Sequence, residues 1–322
     1  MTRLFRDVDG GLLCPGGSVV CIGAFDGLHL GHRALAGQAV ARAQALGLPS
    51  VALSFEPLPR EFFARDTPPP RLTLPRGKIQ ALSGLGIETL GLLRFDAALA
   101  AMSAEDFVQR VLVGRLAARE VWIGPEFRFG HRRGGDLALL QALGATHGFT
   151  AGEIAPVALA GERVSSTRIR EALLAGDFDR ATALLGRPYS IGGRVVRGRQ
   201  LGRTLGFPTA NLRFPKAPAL AGIYATRVHG IADQPWPSVS SFGTRPTVDG
   251  VEPLLEAHLF DFAGDLYGRH IDVEFVAKLR DEEKFPDLPS LTAQMHRDAE
   301  QARQVLAGGQ LPARSIEAAA QR

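Results

Sequence analysis

The sequence has only two cysteines, Cys14 and Cys21, among 322 residues. Two thiols cannot build a disulfide framework, and these two lack the partners of a structural zinc site. A cytoplasmic protein is expected. No uninterrupted apolar stretch approaches the roughly 20 residues needed to cross a bilayer. The opening residues, MTRLFRDVDGG, contain no apolar targeting segment, so neither export nor a membrane partner is expected. Two nucleotide signatures are also missing. No GxxxxGK followed by Ser or Thr occurs anywhere, which argues against a P-loop ATPase. No GxGxxG follows the first apolar run, which argues against a dinucleotide fingerprint.

What is present is ample material for a core, 45% hydrophobic residues, in a chain whose length favours two domains. The formal charge is a modest +4, but the arginines cluster in RFGHRR, STRIR and RVVRGRQLGR. Such clusters suit a solvated face, a surface for phosphorylated small molecules, or nucleic acid, and charge alone does not choose.

From Ser18 to about Leu185 the pattern alternates. SVVCIG, VALSF, ETLGLLRF, REVWIG and a weaker FTAGEIAPV read as strands, with HRALAGQAVARAQALG, SAEDFVQRVLVGRL and GDLALLQALGATHG as helices between them. Ser103 and Asp106 form a capping box before FVQRVLV. Apolar strands with helical crossovers predict a mainly parallel α/β sheet whose ligands bind at the carboxyl ends of its strands. The proline-rich stretch from Glu56 to Pro75 predicts an ordered surface loop with little regular structure, in which Phe62 and Phe63 must pack or meet a ligand. After Gly186 the character changes to short β-prone pieces, YSIGGRVV, GIYATRVH, PSVSSFG, LLEAHLFDF and HIDVEFVAKLR, the pattern of a small antiparallel barrel or sandwich. A final helix is expected from about Leu291. The domain boundary is placed near Arg187, giving domains 1–186 and 187–322.

The stretch CIGAFDGLHLGH, Cys21 to His32, ends a strand in an abrupt turn and sets His29 and His32 three apart at a helix start. Gly23 ends the strand, Gly27 and Gly31 allow close backbone approach or positive φ, and Asp26 can tie down the turn by accepting backbone hydrogen bonds. Helix-start amides pointing at an anion make a phosphate site, to which protonated histidines would add charge-assisted donors. A zinc site built on the same histidines lacks a completing ligand, and a plain helix cap stays open as an alternative. Further on, VSSTRIR offers Ser165, Ser166 and Thr167 at a second helix start, with Arg168 and Arg170 as fork-shaped donors suited to phosphate. The two motifs together form a coherent site for a triphosphate whose leaving group is pyrophosphate.

HLGH followed by SSTRIR resembles the HxGH nucleotidyltransferase superfamily. The strings FDGLHLGH, FEPLPREFF, IGPEFRFGHRRGGD, SSTRIR, LLGRPY, GRTLGFPTANL and HLFDFAGDLYG, in that order, resemble the bacterial bifunctional riboflavin kinase/FAD synthetase family from about Ser18 to about Arg303. The resemblance implies a Rossmann-like N-terminal domain that adenylylates FMN and a C-terminal β-barrel domain, with a terminal helix, that phosphorylates riboflavin. ATP would serve both, with Mg2+ as cofactor and riboflavin, FMN and FAD as substrates or products.

Carried over residue by residue, His29, His32 and Arg168 fall among the catalytic positions, with Ser165, Ser166 and Thr167 on the ATP phosphates. Gly23, Phe25, Asp26, Gly31 and the loop from Phe127 to Phe129 fall around nucleotide and flavin. In the second domain Thr209 and Asn211 match the magnesium and phosphate residues, and Glu256 the catalytic base. Magnesium prefers oxygen donors, and a carboxylate that takes the hydroxyl proton suits riboflavin's poor nucleophile. Gly202 and Gly206 of GRQLGRTLGF would let backbone amides wrap ATP. The chain departs from the family at Ala24, where asparagine is usual, and at Leu58, where histidine is usual. SSFGTRPT likewise stands in place of the familiar ANIGxRPT.

Two other functions fit parts of the same residues. One is nucleotidyl transfer to another small phosphorylated acceptor, with the barrel serving regulation. The other is nucleic-acid binding by the barrel, for which the segment lacks an aromatic-and-basic ladder, so no nucleic-acid partner is expected. A weak homo-oligomer is compatible with the sequence.

Overall fold

The computed structural model describes residues 2–64, 66–198, 201–215, 219–247 and 250–308. Strand and helix alternate first. Strands β1 (Arg3–Phe5), β2 (Ser18–Ile22), β3 (Ser50–Glu56), β4 (Thr89–Arg94), β5 (Ala118–Ile123) and β6 (Thr150–Glu153) form one sheet in the order β1-β4-β3-β2-β5-β6. Every pairing in it is parallel. All five residues of β2 are buried, as a strand covered on both faces requires. The crossover helix Leu30–Leu46 turns Leu35, Ala36, Ala39 and Ala43 toward Val19, Cys21 and Ala52, and its small alanines let it lie close. Gly47 closes that helix in the left-handed conformation, φ 62°. From β2 the chain runs outward through β3 and β4, then returns past β2 to β5 and β6. The order therefore reverses between β2 and β5, and ligands of such sheets bind at the carboxyl ends beside that point.

The structure departs locally from the sequence expectations. SAEDFVQRVLVGRL is not one α-helix. Ser103 caps a single α-turn, Ala104–Phe107, by accepting from the Asp106 amide, and a π-helical turn, Val108–Val113, follows. Phe107, Val108, Val111 and Leu112 are all buried, and the wider turn keeps these closely spaced residues on the core side. The proline-rich stretch is also more regular than expected. It contains a short helix, Pro59–Phe63, and leads into another, Pro75–Gly84. A buried ion network explains its order: Arg71 bonds the carboxylates of both Glu61 and Glu56, and Glu61 accepts from the Leu58 amide. Phe62 and Phe63 pack edge-on against Phe95, although Phe63 stays largely exposed.

A small hairpin follows, β7 (Ala158–Leu159) with β8 (Glu162–Arg163). Beyond it come β9 (Ser190–Val196), β10 (Ala210–Arg213), β11 (Gly222–His229), β12 (Trp236–Thr247), β13 (Gly250–Leu259) and β14 (His270–Arg280), which close into an antiparallel barrel in the order β10-β13-β12-β11-β14-β9. Of the barrel and sandwich left open by the sequence pattern, the barrel is the one formed. The terminal helix starts at Leu288, three residues before expected, because the Asp287 carboxylate accepts from the Ser290 amide. Its Ala299 and Ala302 pack on Ala225, Val239 and Leu279 of the barrel wall. By contact density the chain forms two units, Met1–Ile169 with Ala183–Gly186, and Arg170–Thr182 with Arg187–Arg322.

Candidate active sites

In the first unit the turn after β2 is unusual backbone. Phe25 and Leu28 both have positive φ, 50° and 48°, and Phe25 is fully buried. Asp26 secures this turn by accepting backbone hydrogen bonds, as the sequence suggested. Its Oδ1 accepts from the amides of Leu72 and Thr73, while Thr73 Oγ1 accepts from the Gly27 amide, so the turn is tied to a distant segment.

His29 is the N-cap of Leu30–Leu46: its Nδ1 accepts from the His32 amide at 3.2 Å, which leaves Nε2 to carry the proton. The His29 and His32 rings stack with centroids 3.7 Å apart. Gly31 makes room for this, since a Cβ there would sit 3.2 Å from the His29 ring. Burial, with Arg163 adding to it, pulls His29 down to about 4, and burial, His29 and Lys78 hold His32 well below the ordinary imidazole range. Both rings are therefore neutral at pH 7, unlike the protonated pair the sequence suggested. They offer N–H donors rather than fixed charges. His32 Nδ1 is buried and makes no hydrogen bond within the chain.

SSTR meets this turn. Ser166 Oγ donates to the Asp26 carbonyl at 2.9 Å, and Ser165 Oγ accepts from the Arg168 amide as a cap. Thr167 is exposed, and Arg168 pairs with Glu162 at 2.7 Å. Arg163, whose charge acts on His29, also bonds the Pro125 carbonyl and Glu126, joining the loop after β5 to the same region. Within that loop Phe129 is a core residue, buried beside Phe107, with Phe127 stacked on it at 5.9 Å. Gly23 lies under the Phe25 ring, 3.3 Å from where its Cβ would be.

Sequence reasoning missed Lys78. It is 1% exposed, donates to Ser54 Oγ at 3.0 Å, and burial lowers its ammonium to about 8 against the restoring charges of Glu56 and Asp26. A signal existed: Lys78 stands four residues before Leu82, on the apolar face of a helix.

In the second unit a cavity of about 270 Å³ lies between the barrel wall and the terminal helix. Glu256 and His258, on one face of β13, line it together with Gly202, Thr209, Arg280 and Asp298. Asn211 stands directly opposite Glu256 across β10 and β13. Asn211 Nδ2 donates to the Thr209 carbonyl at 3.1 Å and to its Oγ1 at 3.3 Å, bringing the two expected residues together. Asn211 Oδ1 is buried without a hydrogen bond in the chain, and Gly198 faces it, where a Cβ would stand 2.7 Å away. His258 Nδ1 bonds the Pro208 carbonyl at 2.9 Å, anchoring the PTAN segment, and burial lowers this imidazole. Arg280 is clamped by Asp298 at 2.7 Å. The glycine-rich segment does not remain an open loop: Leu201–Thr204 is a helical turn, and the amides of Leu205 and Phe207 both return to the Gly202 carbonyl. Gly206 has φ 82°, the left-handed turn that glycine favours. Arg199 and Gln200 of the same segment lie outside the described residues.

A parallel sheet with paired histidines at its reversal point, and a separate barrel with a carboxylate beside an unpartnered amide oxygen, define a two-domain transferase acting on phosphates. The FAD synthetase family model matches residues 13–168 and the riboflavin kinase model residues 185–306. The chain belongs to the bifunctional riboflavin kinase/FMN adenylyltransferase family. It is 44% identical to the protein of that name from Escherichia coli strain K12 over 89% of this chain and 92% of the relative. Its Pseudomonas fluorescens counterpart is 45% identical over 90% and 94%. A solved structure of a Streptococcus pneumoniae protein called a macrolide-efflux protein shares the fold with a TM-score of 0.76 and 31% identity, covering 94% of this chain and 98% of the other. That name describes the other protein. Here no helix among the described residues is long and apolar enough to cross a membrane.

Proposed function

We propose that this enzyme makes FMN at the barrel cavity and FAD at the turn between β2 and its helix, with the division of labour falling near Arg187, domains 1–186 and 187–322. The ends of the two family matches, at 168 and 185, support that boundary. The barrel reaction is phosphorylation of riboflavin by ATP. Glu256 takes the proton of the riboflavin hydroxyl as it attacks the γ-phosphorus, and ADP leaves. The observation that carries this reading is the pairing of Glu256, which lines a ligand-sized cavity, with Asn211, whose buried Oδ1 makes no hydrogen bond within the chain.

The same orphaned oxygen fits Mg2+. Asn211 Oδ1 and Thr209 Oγ1 are neutral oxygen donors, and magnesium takes few protein ligands beside phosphate and water. When bound there it would neutralise phosphate charge.

In the first domain an FMN phosphate oxygen attacks the α-phosphorus of ATP and pyrophosphate leaves. The nucleophile is already ionised, so the site needs donors rather than a base. His29 Nε2–H and His32 supply neutral donors beside a helix start, and Arg168 supplies charge on exchanging Glu162 for phosphate. Ser165 caps, Ser166 links the motifs through Asp26, and the Thr167 hydroxyl remains exposed toward ligand. Asp26, Phe25 and Gly23 shape the turn. Phe127, over the buried Phe129, is the better placed of the two to meet flavin. The protein works in the cytoplasm, a reading supported by two free, buried cysteines.

Riboflavin, ATP and Mg2+ supplied together should yield FMN and FAD, separated by chromatography. His29→Ala should stop at FMN. Glu256→Gln should lower riboflavin phosphorylation by roughly 10² to 10⁴, typical of lost acid–base catalysis, yet still convert supplied FMN to FAD. Equal loss of both products in a folded variant would overturn the division.

A further inference from the structure

Besides Ser166, the turn from Ala24 to Gly27 is held by the end of the proline-rich stretch. Leu72 and Thr73 bond Asp26 Oδ1, and Thr73 Oγ1 accepts from the Gly27 amide. The same segment continues into the helix Pro75–Gly84, whose Lys78 reaches Ser54. Ser54 Oγ donates to the Ala24 carbonyl at 3.1 Å. A hydroxyl has one proton, so with that proton on Ala24 the Ser54 oxygen accepts from the Lys78 ammonium at 3.0 Å.

Both members of this relay are sealed from solvent: Ser54 is 0% and Lys78 1% exposed. Beside the held carbonyl comes Phe25, a buried non-glycine residue at φ 50°. Such a conformation persists only where its surroundings over-determine it. Ala24 has no polar side chain to do so, and the relay grips its backbone instead. A buried ammonium carries a desolvation cost that an apolar residue of the same length would avoid. Here it sits within electrostatic reach of Asp26, Glu56, Glu61 and Arg71, and its charge also acts on His32.

We propose that Lys78 is a positioning residue for FMN adenylylation, fixing the Ala24–Phe25 peptide through Ser54 so that the turn presents His29 and His32 to the phosphates. This rests on the assignment of adenylyl transfer to that turn. Lys78 does not touch the reacting atoms. Its effect belongs in kcat, because a misplaced turn still binds ATP and FMN but orients them poorly, and displacements of about 1 Å in such sites cost up to roughly a hundredfold.

Four full-length variants test it: Lys78→Met, Ser54→Ala, the double variant, and His29→Ala. FAD formation from supplied FMN and ATP is measured per folded enzyme, with folding checked by circular dichroism. Lys78→Met and Ser54→Ala should each lower kcat by roughly ten- to hundredfold, with KM for ATP and FMN within about threefold of the parent. The double variant should be no slower than the worse single, because both break one link. Riboflavin phosphorylation by the same preparations should be unchanged. If Lys78→Met does not fold, Ser54→Ala alone must still show the kcat loss. Parental kcat in the folded variants, losses that multiply in the double variant, or an effect confined to KM would each overturn the proposal. Should His29→Ala retain FAD formation, the site assignment itself falls. Should His29→Ala abolish it while the other variants stay parental, only the role of Lys78 falls.

Discussion

Asn211 and Glu256 are direct cross-strand partners, and the amide oxygen of one lies buried and unpartnered beside the carboxylate-bearing position of the other. Adjacent strands place directly opposed residues on the same face of the barrel wall, as the proposed pairing of a metal-binding oxygen with a proton acceptor requires. Asn211→Leu removes the oxygen while keeping bulk. Riboflavin phosphorylation should fall by about 10- to 100-fold and need more Mg2+ for half-maximal rate, whereas Asn211→Asp, which keeps an oxygen donor, should retain more activity. Titrating Mg2+ in a coupled ADP assay checks this. An unchanged Mg2+ requirement in the leucine variant would remove Asn211 from the metal site.

His29 links the first site to acid stability. Its folded pKa, about 4, lies below the ordinary 6.5, so the folded state binds fewer protons than the unfolded chain between those values. The corresponding stability is complete above pH 6.5 and is lost as pH falls through 4, a change of about 3 kcal/mol for a shift of this size. Urea unfolding of the α/β domain at pH 7.5, 6, 5 and 4 should show a steeper decline for the parent than for His29→Asn, which has no imidazole to titrate. Parallel pH profiles would contradict a neutral buried ring.

Arg71 is 6% exposed and bonds two carboxylates, one of them, Glu61, equally buried. Arg71→Met leaves both acids without their cation. Breaking a buried pair in this way costs about 3–5 kcal/mol. The transition can be followed by Trp122 fluorescence after Trp236→Phe, these being the two tryptophans of the chain. Because the proline-rich stretch is anchored by this network, FAD formation should fail at a lower urea concentration while riboflavin phosphorylation persists.

The alternation of apolar strands and helices made the parallel sheet legible, since each crossover helix announces a parallel neighbour. HLGH, SSTR, PTAN and EAHLFDF were legible because their spacing is local. What was hidden depends on contacts between distant residues. Asp26 was legible as an acceptor of backbone hydrogen bonds, but not that the distant amides of Leu72 and Thr73 supply two of them. The π-helical turn at Val108–Val113 follows from burial on one side of a short segment, which a fixed 3.6-residue period cannot represent. Lys78 reads as an ordinary helix lysine until Ser54, from another strand, is found against it. Phe129 was expected near flavin on motif position alone, whereas its ring fills the core.

Closure of the barrel has a bearing on how these molecules can associate. With β9 hydrogen-bonded to β10, the barrel has no first or last strand. In the parallel sheet the outermost strands are β1 and β6, only three and four residues long. Such stubs offer a neighbouring chain little backbone to template against, the device by which β-rich proteins resist edge-to-edge aggregation. Among the described residues the barrel and the parallel sheet thus leave little backbone for strand pairing between copies, and contacts made by surface side chains could be strengthened or abolished by substitution without disturbing either of the two.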